Sequence, residues 1–216
     1  MLKKLICWGA AGHALVLREF LHVEYEWIAL FDNNKEITSP FPDVPVIWGK
    51  HGFIQWRKEN QGFDMAFVVA IGGAYGRDRL QIHRLLVASG MNSINAIHPR
   101  AFVAATATLG EGSQVLAQAA VCADAVLGEA CIVNTSASVD HECILGNGVH
   151  IGPGAVLAGC VNVGECSMIG AGAVVLPRIN IGANVIVGAG AVVTKDIPDN
   201  QVALGNPARI VRANDV

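Results

Sequence analysis

The segment IGPGAVLAGCVNVGECSMIGAGAVVLPRINIGANVIVGAGAVV, residues 151–193, carries an aliphatic residue at every sixth position. The same register extends back to residue 97 without a break, through seventeen positions that are all aliphatic: Ile97, Val103, Leu109, Val115, Val121, Leu127, Val133, Val139, Leu145, Ile151, Leu157, Val163, Ile169, Val175, Ile181, Val187 and Val193. Repeats of this kind indicate a stacked, quasi-one-dimensional fold.

A second period of 18 residues lies on the first, because a glycine follows the aliphatic residue in every third hexad: Gly110, Gly128, Gly146, Gly164 and Gly182. Three hexads per coil predict a triangular prism of parallel β-strands, with five full coils over residues 109–198. Each aliphatic residue should point to the axis and stack on the residue 18 positions later. We expect small residues at the tight corners, with glycine taking the backbone dihedrals that other residues resist.

Residues 1–96 follow a different pattern, in which strand and helix signals alternate. The pattern predicts strands over 5–8, 27–31 and 66–71, helices over 14–22 and 77–89, and a new strand over 94–97. Alternation of this kind indicates a small parallel, Rossmann-like α/β sheet. The sequence therefore predicts two domains, residues 1–96 and residues 97–216.

Composition excludes several classes of protein. Charged residues are 15% of the 216 residues, the net charge is −3, and no basic run exists, so no nucleic-acid footprint is expected. No apolar run approaches the roughly 20 residues of a membrane span, so we expect no membrane insertion. The stretch MLKKLICWGAAGHALVL has some leader-like features, but we interpret it as a first strand and turn. The six cysteines form no CxxC pair and are expected to be reduced, in a cytoplasmic protein without a metal site.

The hexads resemble those of the left-handed β-helix acyltransferases, and four further motifs occur in order: Gly9-Ala10-Ala11-Gly12-His13, Ala70-Ile71-Gly72, Asn134-Thr135 before Val139-Asp140-His141-Glu142-Cys143, and Gly205-Asn206-Pro207-Ala208. Together they resemble the bacterial sugar O/N-acetyltransferases, which include sialic acid O-acetyltransferases and the acetyltransferase of bacillosamine synthesis. The resemblance covers nearly the whole chain. It implies a trimer, with acetyl-CoA in a groove between subunits, and a role in surface glycan synthesis.

The resemblance also implies roles for individual residues. His141 would be the general base and Glu142 would raise its basicity, with Asp140 as the alternative partner. Histidine suits general-base work because its ordinary pKa of about 6.5 leaves it largely unprotonated at neutral pH. Positions implied to bind a nucleotide-linked sugar are Ala11, Gly12, His13, Asp32, Asn33 and Gly72, and those implied to contact acetyl-CoA are His150, Ala171 and Ala189.

The implied reaction is transfer of acetyl to the C4 amine of a nucleotide-linked 4-amino-4,6-dideoxysugar, with UDP as the first choice of nucleotide. Bacillosamine-type members often carry two acids where this chain has Asp32-Asn33, so GDP and dTDP stay open. A sialic acid O-acetyltransferase and a non-catalytic sugar-nucleotide-binding module are further alternatives. A zinc carbonic anhydrase is disfavoured, because His141 and His150 are the only histidines after His98. A Cys143 thiol nucleophile is disfavoured, because no separate base clearly partners it.

Overall fold

The computed structural model describes residues 2–60 and 64–215, and the chain forms two compact units. The first unit comprises Met1–Ile71 and Gln81–Ile94, and the second comprises Gly72–Leu80 and Asn95–Val216. Each unit is built around its own hydrophobic core.

The first unit is a parallel α/β sheet. Its strands are β1 (Lys3–Trp8), β2 (Tyr25–Asp32), β3 (Val46–Trp48), β4 (Met65–Val69) and β5 (Asn92–Ser93), in the order β3-β2-β1-β4-β5. Its helices are α1 (Gly12–Leu21), α2 (Gly49–Glu59) and the part of α3 (Gly76–Ala88) from Gln81 onward. The strand order reverses at β1, so the topological switch point lies between β1 and β4, where such sheets bind ligands at the carboxyl ends of their strands.

Aromatic packing fixes the position of β1 and β2 in this sheet. The rings of Trp8 and Phe31 stack with centroids 5.6 Å apart, and Phe53 of α2 packs edge-on against Phe31 at 5.3 Å. Gly9 follows β1 with φ +108°, and a Cβ there would lie 2.5 Å from the carbonyl oxygen of Ala70. The chain after β1 therefore passes the chain after β4 at a distance that only glycine permits.

Most predicted elements of this unit are present, with ends shifted by one or two residues. The new strand predicted to begin at residue 94 begins two residues later, as β6 (Ala96–Ile97), after β5 has ended at Ser93. Strand β3 and helix α2 were not predicted from the sequence. Strand β3 has three residues and follows a proline-rich stretch, and Phe53 is the one residue of α2 recorded as buried.

The second unit is the predicted prism, a left-handed parallel β-helix with three faces. Face 1 is formed by β6 (Ala96–Ile97), β9 (Gln114–Val115), β12 (Ile132–Val133), β15 (His150–Ile151), β18 (Met168–Ile169), β21 (Ile186–Val187), β23 (Gln201–Leu204) and β24 (Arg209–Ala213). Face 2 is formed by β7 (Phe102–Val103), β10 (Ala120–Val121), β13 (Ser138–Val139), β16 (Val156–Leu157), β19 (Val174–Val175) and β22 (Val192–Val193). Face 3 is formed by β8 (Thr108–Leu109), β11 (Val126–Leu127), β14 (Ile144–Leu145), β17 (Asn162–Val163) and β20 (Asn180–Ile181).

The aliphatic residues stack at the predicted spacing of 18. On face 2, for example, Val121 pairs with Val139, which pairs with Leu157 and then Val175. From Val115 to Val193 every member of the series is at most 3% exposed. Ile97 is 42% exposed because it belongs to the first coil, which has no coil before it.

The corners depart from the sequence prediction. A left-handed backbone recurs every six residues from Gly112 to Gly190, and glycine occupies five of these positions as expected. The other nine positions carry residues other than glycine: Gln118, Asp124, Ala130, Ser136, Glu142, Cys160, Cys166, Arg178 and Asn184. Hydrogen bonds between coils, such as Glu142 N–H to the carbonyl of Ala123 at 2.9 Å, support the left-handed geometry without glycine.

Candidate active site

His141 and Glu142 lie on the corner that joins face 2 to face 3, named corner II here and formed in this coil by residues 140–143. The Nδ1 atom of His141 lies 3.0 Å from Oε2 of Glu142, and both side chains are more than half exposed. Glu142 has φ 57°, so its backbone is left-handed at this turn. Asp140 has a different contact, in which its Oδ1 accepts the backbone N–H of His141 at 2.7 Å. The imidazole is therefore paired with Glu142, and Asp140 fixes the backbone.

Gly159 lies one coil after His141 and packs directly against its ring. An ideal Cβ on Gly159 would fall 2.4 Å from Nε2 and 2.5 Å from Cε1 of His141, so any larger residue would displace the imidazole. The carbonyl of His141 accepts the N–H of Cys160 at 2.9 Å, which fixes the two coils at this corner. Sequence reasoning missed Gly159, although the 18-residue period places position 159 next to position 141.

Two cysteines lie near this pair. Cys160 Sγ is 3.7 Å from Glu142 Oε2, and ligand atoms of His141, Glu142 and Cys160 all lie within 4.8 Å of one another. His141 and Glu142 are exposed in this group, and a 3.0 Å contact between an imidazole and a carboxylate is the geometry that the predicted base and its orienting partner require. Cys143 is fully buried, and burial raises the pKa of its thiol to about 11. At neutral pH this thiol is protonated, which makes it a poor nucleophile.

His150 begins β15 on face 1 and is 4% exposed. Its Nδ1 lies 3.3 Å from the carbonyl oxygen of Gly73, and its Nε2 lies 3.1 Å from Nδ2 of Asn134. A carbonyl can only accept and an amide NH₂ can only donate, so the neutral ring carries its proton on Nδ1. Both ring nitrogens therefore have hydrogen-bond partners within the second unit. Asn134 belongs to one of the sequence motifs, but no role was predicted for it.

Ala171 and Ala189 lie on the corner that joins face 1 to face 2, named corner I (residues 170–173 and 188–191 in these coils). Both residues are exposed. Hydrogen bonds join consecutive coils at this corner; for example, the carbonyl of Ala171 accepts the N–H of Gly190 at 2.8 Å. Within the described chain the N–H groups of Ala171 and Ala189 donate to no backbone acceptor, so both are available to a ligand.

Corners I and II are two different edges of the prism, separated by the width of face 2. The structure therefore does not bring His141 together with Ala171 and Ala189 on one edge of a single chain. The outward side chains of face 2 are almost all apolar: Phe102, Ala120, Ser138, Val156, Val174 and Val192. Phe102 is 59% exposed, which is unusual for so large an apolar side chain.

In the first unit, Ala11, Gly12 and His13 follow β1, and Asp32 and Asn33 end β2 and begin the next turn. The Asp32 carboxylate ties these two segments together, since its Oδ2 accepts the N–H of Ala10 and its Oδ1 accepts the N–H of Asn34, each at 2.9 Å. Ala11, Gly12 and Asn33 are exposed and His13 is half-buried. Gly72 is half-buried and belongs to the second unit.

The family model of the bacterial transferase hexapeptide (six repeats) matches residues 160–195. No curated protein sequence matches the chain. Among solved structures, the acetyltransferase domain of PglB from Neisseria gonorrhoeae FA1090, in complex with acetyl coenzyme A, is 36% identical with a TM-score of 0.86, and the match covers 98% of this chain and 100% of that one.

Two further structures match as completely. PerB from Caulobacter crescentus, in complex with CoA and GDP-perosamine, is 38% identical with a TM-score of 0.88, over 98% of this chain and 99% of that chain. WeeI from Acinetobacter baumannii AYE is 25% identical with a TM-score of 0.83, over 97% of this chain and 100% of that chain. This chain belongs to the hexapeptide-repeat family of bacterial sugar acetyltransferases.

Family membership confirms the sequence predictions of an acetyltransferase and of acetyl-CoA as its co-substrate. It also confirms the predicted fold, an α/β unit followed by a left-handed β-helix. Among the residues that the structure describes, no helix is long and apolar enough to cross a membrane. The individual site residues stay predictions, and the geometry above is what supports them.

Proposed function

We propose that this chain transfers an acetyl group from acetyl-CoA to the C4 amine of a nucleotide-linked 4-amino-4,6-dideoxysugar. The observation that carries the proposal is the His141–Glu142 contact of 3.0 Å on an exposed prism corner, in a chain of the sugar acetyltransferase family. The product would serve surface glycan synthesis. Because acetyl-CoA and nucleotide sugars are cytoplasmic metabolites, we place the reaction in the cytoplasm.

The proposed chemistry is direct transfer. The carboxylate of Glu142 accepts Nδ1–H of His141, which leaves Nε2 unprotonated and able to accept a proton. As the C4 amine attacks the thioester carbonyl, Nε2 takes the proton that the nitrogen loses. The tetrahedral intermediate then expels the coenzyme A thiolate, and the proton passes to the sulfur. No acyl-enzyme is required, because an amine is itself a good nucleophile once held in place.

A backbone donor next to the base is suited to the oxyanion. The N–H of Gly159 donates to no backbone acceptor in the described chain, and this residue contacts the imidazole of His141. We propose that this N–H hydrogen-bonds to the thioester oxygen as negative charge develops on it. Such donors contribute most when they are fixed before the reaction, as a residue held between two coils is.

Two nucleotides compete for the acceptor. UDP is our first choice, from the motifs shared with bacillosamine-type enzymes. GDP is the second, because the Caulobacter relative was solved with GDP-perosamine at 38% identity. Asp32 does not decide between them, since both of its carboxylate oxygens already accept backbone N–H groups and its main contribution is to order the loops.

We further propose a homotrimer in which face 2 is covered by a neighbouring subunit. Five of the six outward side chains of face 2 are apolar, and such a face is costly to expose to water. A cyclic trimer would also set corner I of one subunit against corner II of the next, and so join the predicted acetyl-CoA contacts to His141. Each site would then need two chains.

The direct test is a thiol-release assay with acetyl-CoA and UDP-, GDP- and dTDP-linked 4-amino-4,6-dideoxysugars, with the corresponding 4-hydroxysugars and sialic acid as controls. We expect release of coenzyme A with one nucleotide aminosugar and a product that gains one acetyl group on nitrogen. Release with hydroxyl acceptors only would disprove the N-acetylation. Preference for GDP over UDP would correct the nucleotide and leave the reaction type intact.

A further inference from the structure

Three side chains that can bind a metal ion converge on corner II, beside the predicted base. Sγ of Cys160 lies 3.7 Å from Oε2 of Glu142, and the same oxygen lies 3.0 Å from Nδ1 of His141. Ligand atoms of the three residues all lie within 4.8 Å of one another. Thiolate, imidazole and carboxylate are the ligand types that Zn²⁺ takes in proteins. The corner therefore carries a mixed sulfur, nitrogen and oxygen donor set that suits zinc.

The distances between these atoms fit a single tetrahedral ion. With bonds of about 2.3 Å to sulfur and about 2.0–2.1 Å to nitrogen and oxygen, two ligand atoms of a tetrahedral Zn²⁺ lie about 3.3 Å apart for a nitrogen–oxygen pair and about 3.6 Å apart for a sulfur–oxygen pair. The observed separations are 3.0 Å between His141 and Glu142 and 3.7 Å between Cys160 and Glu142. The third pair, thiol and imidazole, is within 4.8 Å, a distance that side-chain rotation can shorten. A fourth position is open to water, since the His141 and Glu142 side chains are both more than half exposed.

The period of the prism brings these donors together. Glu142 and Cys160 occupy the same corner position in consecutive coils, and both have a left-handed backbone, with φ 57° and 61°. The N–H of Cys160 donates to the carbonyl of His141 at 2.9 Å, which fixes one coil against the other. The sequence led us to expect no metal site because no CxxC spacing is present. Here the donors lie 18 residues apart, at a separation that only the coil explains.

A metal ion on this corner acts on the base through its tautomer. In the proposed mechanism Nδ1 of His141 carries the ring proton and Nε2 is free to accept one. A metal ion binds imidazole through a nitrogen lone pair, so coordination at Nδ1 leaves the ring proton on Nε2. An Nε2–H group can donate a hydrogen bond but cannot take a proton from the attacking amine. The carboxylate of Glu142 is also withdrawn from the ring, because it binds the ion instead.

We propose that corner II is an inhibitory zinc site, in which Nδ1 of His141, a carboxylate oxygen of Glu142 and the thiolate of Cys160 bind one Zn²⁺ ion and switch off the base. On binding, the thiol of Cys160 releases its proton to solvent and the imidazole proton moves from Nδ1 to Nε2. No oxidation state changes. The effect on activity rests on the proposed function, whereas the metal site itself does not depend on it.

The first test is acetyl transfer by the full-length protein at increasing Zn²⁺. The acetylated product is followed by mass spectrometry, since the thiol of free coenzyme A binds zinc itself. We expect Zn²⁺ to lower kcat and EDTA to restore it. Cys160→Ala should keep the basal activity and raise the inhibitory concentration of Zn²⁺ by about tenfold or more. Alanine fits this backbone, because Ala130 occupies an equivalent corner position with φ 52°.

Cys166→Ala is the matched control for this variant. Cys166 is half-buried like Cys160 and has nearly the same backbone, with φ 60°, but it lies on the corner that joins face 3 to face 1. Its substitution should leave the zinc inhibition of the wild type unchanged. Equal zinc inhibition of wild type and Cys160→Ala would overturn the proposal.

Binding is measured separately with Co²⁺, a spectroscopic substitute for Zn²⁺, in the absence of substrates. A thiolate bound to Co²⁺ gives an intense absorption band in the near ultraviolet. We expect this band in the wild type and in Cys166→Ala, and its loss in Cys160→Ala. A wild type without the band, or a band that needs Cys160 in an enzyme that zinc does not inhibit, contradicts the inhibitory site. If the band needs Cys160 but no nucleotide aminosugar is acetylated, the metal site stands and the proposed function fails.

Discussion

At the scale of single residues, two acids flank His141 and the structure gives them different contacts. His141→Ala should lower kcat by about 100-fold or more without loss of the fold, because the amine loses its proton acceptor. Glu142→Gln should lower kcat by about tenfold, since an amide supports the developing imidazolium less well than a carboxylate does. Asp140→Asn should have the smaller effect, because an asparagine oxygen can still accept the N–H of His141. Steady-state kinetics with circular dichroism as the fold control measures all three.

The order of these effects is the informative result. If Asp140→Asn reduced kcat more than Glu142→Gln, the orienting carboxylate would be Asp140, and the 3.0 Å contact to Glu142 would be incidental. A His141→Ala enzyme with most of its activity intact would remove the general-base assignment altogether.

Gly159 supports a second prediction at this scale. A methyl group there would overlap the imidazole of His141, while the coil itself tolerates alanine, since Ala123 occupies the same corner position two coils earlier. Gly159→Ala should therefore lower kcat by about tenfold or more, with the melting temperature and the KM for acetyl-CoA nearly unchanged.

A double-mutant cycle separates this positioning effect from a general disturbance. In the His141→Ala background the substitution at Gly159 should have almost no further effect on kcat, because no imidazole is left to displace. An equal loss of activity in both backgrounds would show that Gly159 acts on something other than His141.

At the scale of elements, each two-residue strand is too short to be stable alone. It depends on its column, the stack of inward aliphatic residues that repeats every 18 positions on one face. Leu157 is fully buried between Val139 and Val175 in the column of face 2. Leu157→Ala leaves a cavity and should lower the free energy of unfolding by about 2–5 kcal/mol. Leu176→Ala is the matched control, because Leu176 is a leucine of the same β-helix and its side chain is 40% exposed. Thermal unfolding should show a clear drop in melting temperature for the first variant and little for the second. Equal melting temperatures would mean that the column contributes little to stability.

The corners show how an element can override residue preference. Nine non-glycine residues accept a left-handed backbone at a cost of about 1–2 kcal/mol each relative to glycine. The cost is offset because the N–H of each of these residues donates a hydrogen bond to the preceding coil. At Glu142 this geometry has a use, since it occurs in the residue that contacts the imidazole.

At the scale of the whole molecule, the trimer proposal predicts a mass of about three times 22.7 kDa by light scattering. It also predicts complementation between two inactive variants. A His141→Ala subunit lacks the base at corner II, and an Ala171→Trp subunit is blocked at corner I. Mixed trimers should each contain one site with both corners intact, so random mixing should restore about a quarter of the wild-type activity. An active monomer, or mixed trimers without recovery, would contradict the shared site.

The sequence by itself determined the prism and the corner on which His141 lies. An unbroken six-residue period can be satisfied only by a coil that buries every sixth residue, so fold class, column spacing and the position of His141 outside the core follow from local pattern. The α/β character of the first unit also follows, because Leu5–Trp8 and Trp27–Phe31 are clear apolar strands. Segment 33–64 gave no such signal, since Val46–Trp48 is short and α2 buries little.

The tertiary structure alone decided which groups meet. Whether Glu142 or Asp140 reaches the ring depends on the left-handed turn at Glu142, and that turn is imposed by the neighbouring coil and not by the residue's own preference. The loop-ordering role of Asp32 depends on how β1 and β2 align in the sheet. Hydrophobic periodicity predicts which residues are buried, because burial follows from the position of a residue within its own element. Hydrogen bonds and cavities depend on distances between elements, and those distances are set only when the chain packs.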